Sequence, residues 1–313
     1  IPTMLPIYKK MHIRPTVLLL LCGAATGIMN LVPWGGPTIR AATALGMGDN
    51  PVAFFLPVLP AVLVGLVCVL VISAFLGAGE KKRIGAVALQ AAGNTEQELT
   101  EEQKALLRPH LFWVNIILIV AAIVSLLFSG FAPAVVFMAF YVLATVINYP
   151  SVKDSKARVD AHAKEALMMC SVLFAAGCFT GIMQGTGMIT EMASTLVSII
   201  PHTMGKFFPL IIGIIGMPAS LLFDPDSFYY GVLPVLAQTA EGFGVAGVDV
   251  GRAAILGQMT IGFPVSPLTA STFLLVGLSG VDFGEHQKKT IPLAWLVSLV
   301  MVVVAILTRG IAI

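Results

Sequence analysis

Asn30-Leu31-Val32-Pro33-Trp34-Gly35-Gly36-Pro37 interrupts an otherwise apolar run, between a stretch from about Pro15 to Met29 and another from Thr38 to Met47. Prolines and glycines this dense end a helix wherever they fall, so the segment reads as one helix broken at its centre. A second apolar run, about 251–278, is interrupted in the same way by Gly262-Phe263-Pro264-Val265-Ser266-Pro267. Aligned without a gap, residues 32–46 and 263–277 set Pro33 against Pro264, Thr38 against Thr269 and Gly46 against Gly277.

The composition puts these breaks in a membrane. Hydrophobic residues make up 58% of the chain and charged ones 11%, against about 25% charged in soluble domains. With a mean hydropathy of +0.95, a water-soluble fold is excluded. At about 20 apolar residues per spanning helix, the 313 residues hold roughly eight or nine hydrophobic segments and one substantial polar loop. The net charge of +2 is not gathered into a patch, so nucleic acid is not an expected partner. Cys22, Cys68, Cys170 and Cys178 lack the spacing of a metal site or a disulfide framework. Ile1 opens the chain without a signal peptide, and the chain is expected to begin within a longer protein.

Outward from the first break, a span runs from about Pro51 to Leu76 and a polar stretch from Glu80 to Arg108, in which 94–102 is expected to form a short surface helix. Spans over about 111–129 and 131–147 follow, then a charged loop from Lys153 to Lys164, an apolar segment from Ala166 to Met183, and an interfacial helix from Ile189 to Ile200. The stretch from about 207 to 243 is two apolar arms hinged at Asp224-Pro225-Asp226-Ser227, each too short to span, and reads as a re-entrant hairpin. A last span runs from Ile291 to Leu307.

Cytoplasmic loops collect Lys and Arg. Lys9, Lys10 and Arg14; Lys81, Lys82, Arg83, Lys104 and Arg108; Lys153, Lys156, Arg158 and Lys164; and Lys288 with Lys289 all fall on one side if 207–243 is a hairpin. Arg40, Lys206, Arg252 and Arg309 are the exceptions. By this rule the first break is entered from the cytoplasmic side and the second from the outer side, so the repeats are inverted. Simple kinks would account for either break alone; two in register point to a transporter binding site. Unwound backbone cannot face lipid and has to line a cavity or pack in protein. Its free N–H groups suit an anion, and its carbonyls a cation.

The candidate ligands lie in or beside the breaks and the hinge. Asn30, Gly35, Gly36, Thr38, Arg40, Ser227, Ser266 and Thr269 are expected to bind substrate, and Asp224 and Asp226 the metal, with the coupling proton as the alternative for either aspartate. Ionisable groups at membrane depth are costly and mark pathways or sites, while hydroxyls and carboxylates suit a hard cation. Asp224 and Asp226 alternatively form an exposed outer turn. Arg40 either snorkels or neutralises an aspartate. Serines and threonines also join membrane helices. Trp34, Phe228, Tyr229 and Tyr230 read as packing or gate residues, and all five histidines as loop or span-end residues, so that no buried histidine relay is expected.

Three stretches, Asn30 to Thr38, Asp226 to Val235 and Ser271 to Gly284, resemble the citrate-metal:proton symporter family (CitMHS) of the ion transporter superfamily. The resemblance covers essentially the whole chain. It implies uptake of citrate complexed to a divalent cation and coupled to protons, by dimers of inverted repeats that move a transport domain like an elevator. It also implies a first-half hairpin preceding the segment from Pro2 to Arg14.

The expected protein is therefore an all-α, multi-pass transporter of the plasma (inner) membrane, with inverted repeats, broken helices and a re-entrant hairpin. Residues 1–78 form the end of the first repeat, 79–110 a cytoplasmic linker and 111–313 the second repeat. Its expected cargo is citrate or a related tricarboxylate, with Mg2+, Ca2+ or another divalent ion as part of the cargo and no permanently bound cofactor. Its expected partners are membrane lipid and a second copy of the chain. A dicarboxylate exchanger or cation/proton antiporter is the alternative on the same fold. An intramembrane aspartyl protease is disfavoured, because its paired carboxylates should come from facing helices.

Overall fold

Proline opens many of the helices of this chain. Pro15, Pro37, Pro51, Pro133, Pro209 and Pro234 each occupy a first turn, where the missing N–H is no loss. The computed structural model describes residues 4–84, 108–257 and 262–312, with no strand among them. Contacts divide the chain into two units, Ile1–Thr95 with Thr180–Ile313, and Glu96–Phe179.

The first unit opens with α1 (Leu5–Lys10), α2 (Pro15–Met29), α3 (Gly36–Ala44), α4 (Pro51–Phe55) and α5 (Leu59–Ile84). The first break, between Met29 and Gly36, thus falls where the sequence places it. In the second unit α6 (Phe112–Phe128) and α7 (Pro133–Asn148) flank a turn at Gly130, whose φ of +71° suits glycine. The carboxamides of Asn115 and Asn148 bond reciprocally at 2.9 and 2.8 Å and clasp the two helices. Large apolar side chains on this pair, Trp113 and Phe128 among them, are exposed, as lipid-facing helices require.

One expectation fails in α8 (Val152–Gly185). The anticipated loop from Lys153 to Lys164 is the first half of this 34-residue helix. Its Ala, Lys, Arg and Glu residues are strong helix formers, and its charges mark a solvated helical face. The surface helix expected over 94–102 lies outside the described residues.

The chain continues through α9 (Met188–Ile199), α10 (His202–Gly205), α11 (Phe208–Ala219), a π-helical turn (Ser227–Val232), α12 (Leu233–Gly242), α13 (Gly247–Gly257), α14 (Ala270–Ser279) and α15 (Phe283–Leu307). The stretches Pro51–Ile84, Pro109–Phe128 and Phe283–Leu307 are long and apolar enough to cross a membrane. Shorter apolar helices are Pro15–Met29, Pro133–Asn148, Met188–Ile199 and Phe208–Ala219.

Helix α13 is the buried axis of the first unit. Nine of its residues are buried, and both helices on either side of the hinge, α11 and α12, pack on it. Its glycines admit neighbours closely: a Cβ on Gly251 would lie 2.4 Å from Leu45, and one on Gly257 2.9 Å from the Met217 amide. Small residues of this kind let membrane helices approach without a hydrophobic driving force.

Basic residues from three places gather at one end of this unit. Buried Glu80 accepts from Arg14 Nε at 2.6 Å and Arg83 Nη2 at 2.7 Å, and Lys289 reaches Thr16 at 3.4 Å. Two of the exceptions to the charge sorting, Arg40 and Arg252, are instead paired with Asp226 and Asp249. Glu80→Ala would leave two guanidiniums beside an emptied site. The expected cost is about 2 kcal/mol, toward the low side because both arginines are partly in solvent. A lowered melting temperature of the purified protein would register it.

Candidate functional site

The first break ends α2 at Asn30, whose amide bonds Thr26 O at 3.1 Å, and restarts at Gly35. A Cβ on Gly35 would stand 2.0 Å from the Asn30 carbonyl oxygen, so only glycine lets the chain double back so tightly. At Gly36 the neighbour is Arg40, one helical turn on, whose Nη1 would be 2.7 Å from an added Cβ. The guanidinium therefore folds over the start of α3. From there its Nε donates to Asp226 Oδ1 at 2.7 Å, an ion pair largely withdrawn from solvent and joining residues 186 positions apart. Of the two roles open to Arg40, the structure selects neutralisation of an aspartate.

Asp224 has a different task. Its carboxylate accepts the amides of Asp226 and Ser227 at 3.1 and 3.3 Å and the Ser227 hydroxyl, and so shapes the hinge that aims Asp226 at Arg40. This is the turn chemistry of an aspartate two residues ahead of a helical start. The π-helical turn that follows packs on α3 and buries Phe228, Tyr229 and Tyr230, in line with their reading as packing residues. Thr38, fully buried in the first turn of α3, has a hydroxyl with no hydrogen-bond partner among the described residues. An orphaned polar group of this kind costs about 1–3 kcal/mol.

The second break is bound up by side chains. Phe263 O accepts from Thr269 and Thr272 at 2.7 and 3.0 Å, Pro264 O contacts His286 Nε2 at 2.8 Å, and Val265 O accepts from Gln287 at 2.9 Å. Three successive bare carbonyls are thereby satisfied away from lipid, as unwound membrane backbone demands. Ser266 donates to Ser220 O at 2.5 Å, and Gly262 is held so near Ser220 that a Cβ would lie 2.0 Å from its Oγ. The break is thus fastened to the end of α11. It also reaches the other broken helix, because Gly23 of α2 faces Pro264.

The structure therefore gathers the expected residues into two groups. Gly36, Arg40, Asp224, Asp226 and Ser227 meet where the first break faces the hinge. Ser266 and Thr269 hold the second break, their hydroxyls engaged by backbone carbonyls. His286 lies in the first turn of α15, at a span end as the sequence places it, but its burial corrects the expectation that no buried histidine is available. The signal for it was present, since Asp282-x-x-Glu285 is a helix-start pattern and Asp282 Oδ1 does accept the Glu285 amide at 2.9 Å. Among the described residues no cluster of three His, Cys, Asp or Glu is placed to hold a resident metal.

Unwound segments packed among helices, one of them carrying a long-range ion pair, in an all-helical apolar chain are consistent with a membrane transporter. A family model described as "Citrate transporter" (CitMHS) matches residues 1–262. The "Citrate transporter" of Bacillus subtilis (strain 168) is 41% identical over 98% of this chain and 70% of its own length. From the same organism, the "Mg(2+)/citrate complex secondary transporter" is 39% identical over 99% of this chain and 71% of its own. "Uncharacterized transporter YraO" is 37% identical over the whole of this chain and 72% of its own. The chain belongs to the citrate transporter family, a family of transporters and not of enzymes.

Proposed function

We propose that this protein carries citrate as a complex with a divalent cation, in symport with protons, across the plasma membrane. One observation carries the reading: where the first break meets the hinge, a cation and an anion, Arg40 and Asp226, stand 2.7 Å apart. A site built for free tricarboxylate would gain nothing from an aspartate. A site for a metal–citrate complex needs both signs, Arg40 for a citrate carboxylate and Asp226 for the metal. On loading, each charge exchanges its partner for the matching part of the cargo, so neither is left bare in a low-dielectric setting. Asp224 is one turn residue away as a second oxygen donor, and the Thr38 hydroxyl is available for a carboxylate. The relative whose name specifies an Mg(2+)/citrate complex supports the same cargo.

Gly35 and Gly36 expose the backbone at the start of α3, and Asn30, Ser227, Ser266 and Thr269 complete the proposed polar lining. We further propose that the two broken helices belong to inverted repeats, 1–78 and 111–313 joined by a linker at 79–110, working as a homodimer by an elevator-type movement. Uptake of radiolabelled citrate by cells expressing the full-length protein tests the function. Uptake is expected to require Mg2+, Ca2+ or another divalent ion, and to collapse when the proton gradient is dissipated. Uptake indifferent to divalent ions would favour a carboxylate exchanger instead.

A further inference from the structure

We propose that His286 carries the coupling proton, an inference that rests on the symport reading above. The imidazole is buried at 1% exposure between the unwound backbone of the second break and the next turn of α15. Its Nε2 lies 2.8 Å from Pro264 O, and its Nδ1 3.2 Å from the Thr290 hydroxyl. A carbonyl oxygen only accepts, so Nε2 bears a hydrogen whatever the charge of the ring. The hydroxyl both donates and accepts. With the ring neutral, Thr290 donates to Nδ1; with the ring charged, Nδ1 donates to Thr290. A proton can therefore arrive and leave with one rotation of a hydroxyl and no loss of either bond. Histidine is also the side chain whose unperturbed charge change falls nearest physiological pH.

Helix α15 packs against α2, α5, α11, α13, α14 and the 3-10 turn at Phe263–Val265. The titratable groups on these elements are Cys22 on α2, Cys68, Glu80, Lys81, Lys82 and Arg83 on α5, and Asp249 and Arg252 on α13. Helices α11 and α14 and the 3-10 turn carry none, and α15 itself adds Glu285, Lys288 and Lys289 beside its cap Asp282. Each of these carboxylates already has a partner: Glu80 has Arg14 and Arg83, Asp249 has Arg252, Glu285 has Lys289, and Asp282 has the Glu285 amide. The ring sits one turn before Lys289, at the basic end of the unit, while Pro264 is two residues from Ser266 and its bond to the end of α11. A charge gained at His286 strengthens its bond to the break. Where the break so held favours the loaded state, the cargo favours the proton to the same degree.

The test uses the full-length protein in proteoliposomes, with His286→Gln read out in two assays. The glutamine amide still donates to Pro264 O but takes up no proton. Metal–citrate exchange at equal pH on both sides is expected to fall no more than about threefold, as for one weakened neutral hydrogen bond. Accumulation driven by an imposed pH gradient is expected to fall at least ~tenfold, because its coupling step is gone. Accumulation at the wild-type level would overturn the inference. Equal loss of both activities would also overturn it, marking His286 as a strut. Wild-type protein that ignores the gradient would instead bring down the symport reading, and this inference with it.

Thr290→Val supplies a second arm should the glutamine variant not fold. Without the hydroxyl the charged ring loses more than the neutral one, so gradient-driven accumulation should fall at least ~threefold further than exchange at equal pH. An equal fall in both would count against the inference.

Discussion

Replacing Asp226 by asparagine in the full-length protein is expected to lower metal–citrate uptake at least ~100-fold, the scale for truncating one member of a desolvated charge pair. Two effects combine: Arg40 loses the carboxylate 2.7 Å from its Nε, and the cation loses an oxygen donor. A reduced level of folded protein would be a competing explanation, and the double variant Arg40→Gln with Asp226→Asn separates the two. Removing both charges leaves none uncompensated, so the double variant should recover thermal stability in detergent. It should not recover uptake, because neither the carboxylate nor the metal then has its partner. Uptake restored in the double variant would show that the pair only holds the fold together, and the proposed site would have to move elsewhere.

Adjacent glycines supply the second large effect, and they should fail in different ways. Gly35→Ala drives a Cβ to 2.0 Å from Asn30 O and 3.1 Å from Val32 O, both backbone atoms fixed by the break. That strain should cost about 3 kcal/mol or more, seen as little or no folded protein. Gly36→Ala instead meets Arg40 Nη1 at 2.7 Å, the far end of a flexible side chain. The protein should fold, with the guanidinium pushed from its place and the KM for metal–citrate raised about tenfold, an effect confined to binding. An alanine at 36 that leaves KM unchanged would mean that Arg40 need not lie over the start of α3.

The breaks were legible in the sequence because proline and glycine act locally. Met29 ends α2 and Gly36 begins α3 for reasons contained in eight consecutive residues. The ion pair was not, since it joins Arg40 to a residue 186 positions away, and nothing local distinguishes a snorkelling arginine from a paired one. The misread loop at 153–164 and the overlooked burial of His286 share a cause, in that charge density was weighed above capping. Ser151-x-x-Asp154 and Asp282-x-x-Glu285 both spell the start of a helix, and both helices begin there. The hydroxyls of Ser266 and Thr269 were recognised as belonging to the second break, but their partners are backbone carbonyls, which no residue pattern reveals.

The union of Arg40 with Asp226 has a consequence for the electrical behaviour of the protein. Carrying one elementary charge through a potential of 100 mV costs or releases about 2.3 kcal/mol. Two opposite charges 2.7 Å apart move through the field together as a neutral dipole. The pair by itself then adds no gating charge, and under the proposed symport any current of the cycle would belong to the half in which cargo and proton are aboard.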